Sequence, residues 1–238
     1  MNVRIIKELR DLRGMNLNQK EILTNFEKRL KDYETFENAI IIHIEKNYFP
    51  FVFQSLYKQL GYEKLESHKF TTHDFKNILK NNNFLDLINE IYRTRLSKKG
   101  SEIILKRLED TNFNFDGYEN ALKAFENCNT KKYKNGTTIN ASALSLGTKI
   151  LHFYNPEENP ILDSFVRTNL GIGDMTYILC IQFQKAANDF VRKHVDYFEN
   201  FYKSERIKIE LEKRHMTNYF PKMEIVDMAL YESIKSQY

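Results

Sequence analysis

The stretch Asn140-Ala-Ser-Ala-Leu-Ser-Leu-Gly147-Thr-Lys149-Ile-Leu-His-Phe-Tyr-Asn-Pro156-Glu-Glu-Asn-Pro160-Ile-Leu-Asp163-Ser-Phe-Val-Arg-Thr-Asn-Leu170 decides how the rest of the chain is read. Its residues spell a short helix, a Gly-containing turn at Leu146-Gly147, a second helix, a Pro-bounded loop and a third helix opening near Asp163. The second helix is expected over Thr148 to about Tyr154, where Ile150, Leu151 and Tyr154 form an apolar stripe that Asn155-Pro156 ends. Lys149 then lies near a helix N-terminus, where the positive end of the helix dipole disfavours an ammonium. Partial desolvation would make such an amine easier to deprotonate and more nucleophilic, although a solvated lysine is the commoner fate of this residue type. Asp163, following Pro160-Ile-Leu, suits an N-cap whose side chain accepts backbone amides. At a helix start beside a cleft the same carboxylate can stabilise a developing positive sugar or activate a nucleophile, and the two roles are compatible.

Working towards the N-terminus, Asn129-Thr-Lys-Lys-Tyr-Lys-Asn-Gly-Thr-Thr is a basic, turn-forming segment. Its Lys131, Lys132 and Lys134 are candidates for phosphate contact, with a solvated loop as the plain alternative. Amphipathic helical patterns precede it. Ile5, Ile6, Leu9 and Leu12 mark a first helix over Val3 to about Arg13, and Ile22 to Ile44 carry a helical period with a break near Asp32 to Glu34. The aromatic run Asn47-Tyr-Phe-Pro-Phe-Val-Phe-Gln reads first as a core corner, Phe51 to Leu60 as a helix, and Gly61 as its cap. Further helices are expected from Thr71 towards Lys80, around Phe84 to Tyr92, over Glu102 to Leu108 and over Tyr118 to Phe125. No alternation is long enough to demand a sheet, and short strands near Phe113 to Phe115 stay open. Towards the C-terminus, Gly171-Ile-Gly with Asp174 as a candidate cap precedes a long helical pattern from Tyr177 to Tyr202. A final amphipathic helix opens at Ile225.

Composition bounds the class. The chain has 238 residues, 8 Gly and 4 Pro, which favours helices over a turn-rich sheet protein. No Pro-, Gly- or Ser-rich linker divides it, so a single unit over 1–238 is expected. The 36 basic and 32 acidic residues nearly cancel, and the net charge of +4 points only weakly to an anionic partner. No run is apolar enough to cross a membrane and no leader pattern opens the chain, so a cytoplasmic, soluble monomer is expected. Cys128 and Cys180 stand far apart, which suggests free thiols and excludes an iron–sulfur cluster. The six His are scattered without metal-ligand spacing, so no metal and no cofactor are expected.

Leu146-Gly147-Thr148-Lys149 followed by Pro160-Ile-Leu-Asp163-Ser-Phe-Val166-Arg resembles the helix-hairpin-helix core of base-excision DNA glycosylases. Leu151-His-Phe-Tyr-Asn-Pro and Val226-Asp-Met-Ala-Leu are similar to a bacterial branch related to 8-oxoguanine glycosylases. The resemblance spans roughly thirty residues, supplies one hairpin glycine where the family has two, and has a short interval between the lysine and the aspartate. It implies an all-α fold of helical lobes around a DNA-binding cleft, with 140–170 as the hairpin and catalytic-aspartate segment. The amides of Leu146, Gly147 and Thr148 would grip a phosphate, and a damaged or modified base would be flipped out of double-stranded DNA. Lys149 matches the lysine that forms a Schiff base in members with lyase activity, and Asp163 matches the essential aspartate. Without lysine attack, Asp163 would direct water. Two competitors are a noncatalytic helix-hairpin-helix DNA-binding module and a helical interaction scaffold that shares only the motif words.

Overall fold

In a computed structural model of the chain, the described residues are 17–46, 50, 52, 54–56, 70–81, 84–92, 94, 96–132, 138–217 and 219–232. The expected helix at Val3 to Arg13, the Gly61 cap and Lys134 lie outside them, as does most of the 51–60 helix. The described residues are predominantly helical, with one small antiparallel hairpin. Strand β1 (Asn129–Lys132) pairs with β2 (Thr138–Ala141), Asn129 facing Ala141 and Lys132 facing Thr138. The all-α class expected from the sequence holds for the described residues, with this one small hairpin added. The strands fall in the basic segment, while Phe113 to Phe115 is irregular.

The chain forms two compact units: 1–68 with 156–174 and 182–238, and 69–155 with 175–181. The missing linker suggested a single unit over 1–238. Among the described residues the chain passes from one unit to the other at Asn155-Pro156, at Asp174-Met175 and within a helix at Ile181-Gln182.

In the first unit, α1 (Gln19–Arg29) opens with a capping box. The Asn18 side chain accepts from the Glu21 amide at 3.1 Å, and the Glu21 carboxylate accepts from the Asn18 amide at 2.8 Å. α2 (Tyr33–Lys46) follows after the break expected near Asp32. α8 will be the short helix Ser164–Asn169, and α12 the helix Lys222–Glu232, which packs along α2. Phe26 meets Phe183 and Phe190 at ring separations of 5.7 and 5.4 Å, and Phe36 meets Phe198 edge-on at 5.6 Å. The long pattern from Tyr177 to Tyr202 is two helices, α9 (Tyr177–Lys193) and α10 (Val195–Lys203), separated at His194. The cap of α9 is Thr176, whose hydroxyl accepts from the Leu179 amide at 3.1 Å, and not Asp174. α11 (Glu205–Glu212) is capped by Ser204.

The second unit contains α3 (Thr72–Asn81), α4 (Phe84–Ile91), α5 (Lys98–Leu108), α6 (Tyr118–Leu122) with a 3-10 turn at Lys123–Phe125, the β hairpin and α7 (Leu144–Tyr154). Its core is aromatic. Phe75 meets Phe115 and Tyr154 at 5.0 and 5.3 Å, and Phe84 meets Phe153 at 5.5 Å. The buried end of Tyr154 donates to Asp116, and burial followed by that bond pushes its phenol up to about 12.

Candidate functional site

The central stretch departs from its expected shape. Leu144–Tyr154 is one uninterrupted helix, with no turn at Leu146-Gly147, and the Gly147 amide donates to the Ala143 carbonyl at 2.9 Å. The glycine serves packing instead. A Cβ at Gly147 would lie 2.8 Å from the Phe125 ring and 3.0 Å from Leu122, so a hydrogen here lets α7 approach α6 and the 3-10 turn. Leu146, Gly147 and Thr148 are buried, and the Thr148 hydroxyl donates to the Ser145 carbonyl at 3.1 Å. The Gly147 amide is thus used inside the helix, and a phosphate contact by Leu146, Gly147 or Thr148 would have to reach residues that the unit's own side chains cover.

Lys149 is the sixth residue of this helix, not a first-turn residue, and is only 2% exposed. Its Nζ donates to the Ser145 Oγ at 3.1 Å and to the Ser145 carbonyl at 3.4 Å, and it lies 5.1 Å from the centre of the Tyr92 ring. A buried ammonium needs such company, and the hydroxyl, the carbonyl and the aromatic face provide it. His152, one turn on, is fully buried in the same unit.

Asp163 is set differently. Its backbone is extended, with φ −111 and ψ −174, and its Oδ1 accepts from the amides of Phe165 at 2.8 Å and Val166 at 2.9 Å. It is the N-cap its sequence suggested, and it is half-buried. Oδ2 accepts no hydrogen bond from the described residues. At the far end of α8, Gly171 has φ +64, its amide donates to the Thr168 carbonyl, and the Ile172 amide donates to the Arg167 carbonyl at 2.8 Å. This is the paired-bond helix ending that requires a left-handed residue, so Gly171 closes α8. Asn169 then ties α8 to α12 by donating to the carbonyls of Leu230 and Tyr231. Asp163 thus heads a short element held at both ends.

No family model, curated protein or solved structure matches this chain.

Lys149 and Asp163 belong to different compact units. Lys131 and Lys132 lie on β1. Two features of the unit that holds Asp163 were not singled out from sequence. Phe165, whose amide binds the carboxylate, meets Tyr231 at a tilt with ring centres 4.6 Å apart, and Tyr231 meets the buried His43 at 5.0 Å. The signal for Phe165 was its place two residues after the aspartate, but its partner comes from a distant helix. Glu224, in the first turn of α12, is buried, and desolvation pushes its carboxyl up to about 8.

Proposed function

We propose that the protein is a DNA glycosylase in which Asp163 supports cleavage of the N-glycosidic bond. The geometry of Asp163 carries this reading: one oxygen is committed to two helix amides while the other is left for chemistry. A carboxylate fixed in this way needs little reorganisation when positive charge builds on a sugar. As the bond from C1′ to the base breaks, its electron pair leaves with the base, and the free oxygen of Asp163 faces the cationic sugar or orients the water that adds to it. The half-buried Phe165 and Tyr231 rings beside the cap are suited to an unstacked base. The similarity of the Pro160-to-Arg167 words to those of base-excision glycosylases supports the same residue.

The enclosure of Lys149 favours water as the nucleophile over a Schiff base. A lysine that attacks a sugar would first have to leave Ser145 and Tyr92. The helical course through Leu146-Gly147 bears equally on the noncatalytic hairpin module and on the hairpin half of the glycosylase resemblance, so the reading rests on Asp163. Base release from duplexes that each carry one altered base tests the proposal. Asp163→Asn, which still caps a helix, is expected to lower release at least about a hundred-fold and to leave duplex affinity within about two-fold. An active Asp163→Asn protein, or a parent protein inert on the whole panel, would overturn it.

A further inference from the structure

The second unit holds a cavity of about 450 Å³ where the end of α5, the loop after it and α6 meet, a volume in the range of small-ligand sites. Its lining includes Arg107, Asp110, Asn112, Phe113, Asn120 and Lys123. Arg107 is held in place: one guanidinium nitrogen donates to the Ala124 carbonyl at 2.8 Å and to the Glu126 carbonyl at 2.5 Å. Asn114, also in the wall, has its oxygen occupied by the Asp116 amide at 2.8 Å and the Thr72 hydroxyl at 2.5 Å, which leaves its NH2 as a donor. The side-chain amides of Asn112 and Asn120 make no hydrogen bond to the described residues, and Lys123 makes no ion pair with them. Phe113 is half-buried, braced edge-on by Phe115 at 4.8 Å, and Lys76 lies 5.2 Å from its ring centre.

These groups ask for a particular ligand. Two cations and several amide donors face one carboxylate, that of Asp110, so an anion with additional polar edges fits better than a neutral sugar. The aromatic wall asks for a flat, polarisable group. Phosphate, amide-reading edges and a ring combine in a nucleotide. We propose that this cavity binds a nucleoside monophosphate, either free or as the phosphorylated end of a single strand. The inference stands on the second unit alone and does not depend on Asp163.

Calorimetric titration of the full chain tests it, with AMP, CMP, inorganic phosphate, adenosine and a 5′-phosphorylated single-stranded tetranucleotide as probes. At least one of AMP, CMP and the tetranucleotide is expected to bind with a Kd below about 1 mM, more tightly than adenosine or phosphate. Lys123→Gln and Phe113→Leu are each expected to weaken that binding roughly ten-fold, with circular dichroism confirming that both variants are folded. Binding of AMP or CMP places a free nucleotide in the site; binding of the tetranucleotide alone places a strand end there. No binding of any nucleotide, binding unchanged in both variants, or adenosine or phosphate binding as tightly as the nucleotides would overturn the proposal. Asp163→Asn should bind the same probes unchanged, which separates this site from the glycosylase reading.

Discussion

Helix α7 keeps its lysine inside its own unit, whereas α8 keeps its aspartate at its own half-exposed start. Both residues were singled out from one stretch of sequence for the same chemistry. The ammonium of Lys149 is turned back on its own helix by Ser145 and covered by Tyr92. The carboxylate of Asp163 is held through one oxygen only. What makes a polar group available is the set of neighbouring atoms that already claim it, and that set comes from tertiary packing.

The sharpest break between the two residues is catalytic. Asp163→Asn should reduce single-turnover base release by at least about a hundred-fold, while Lys149→Gln should change it least of all the variants considered. Asp163→Ala adds a stability cost that Asn does not, about 1 kcal/mol for the lost cap, read by urea unfolding.

A second difference concerns pH and the helix on which α8 rests. Glu224 is buried in α12 and its carboxyl is pushed up to about 8, above its ordinary 4.5. Between those values the unfolded chain is ionised and the folded chain still holds the proton, so stability falls as pH rises towards 8 and then levels. Glu224→Gln removes that dependence. The variant should therefore gain on the parent by up to about 1.4 kcal/mol per pH unit between pH 5 and pH 8, measured as unfolding free energy at several pH values. A constant difference across that range would show that Glu224 is ionised when folded.

In α7 the corresponding test is steric. Gly147→Ala sets a methyl 2.8 Å from the Phe125 ring and should destabilise the protein by about 1–3 kcal/mol. A neutral or stabilising result would revive the turn expected at Leu146-Gly147. The smallest effect tests the lysine: borohydride should trap no adduct on an abasic duplex with either the parent or Lys149→Gln, and base release should stay within about three-fold. An adduct lost only in Lys149→Gln would show that the lysine leaves its enclosure to react.

Local chemistry was legible wherever the decisive partner lay within a few residues. The break near Asp32 and the Asp163 cap are short-range devices, in which a side chain reaches an amide two or three positions away. Helical periodicity in the apolar residues likewise made the predominantly helical class readable. Gly147 shows where that reading stopped. A glycine within a helical pattern signals either a turn or a close approach, and only the Phe125 ring, brought in from another element, selects the second. The β hairpin escaped notice because its strands are only four residues each and β1 is polar throughout, too short a run for alternation to stand out.

The sequence by itself therefore determined the helical class, most of the helix positions and the capping role of Asp163, because these depend on backbone propensity and short-range hydrogen bonds. Tertiary structure alone decided that the chain forms two units, that Lys149 is enclosed, that Phe165 packs against Tyr231 and that Glu224 is desolvated. Each of these depends on side chains far apart in sequence excluding water together, and no local pattern records which distant side chains will do so.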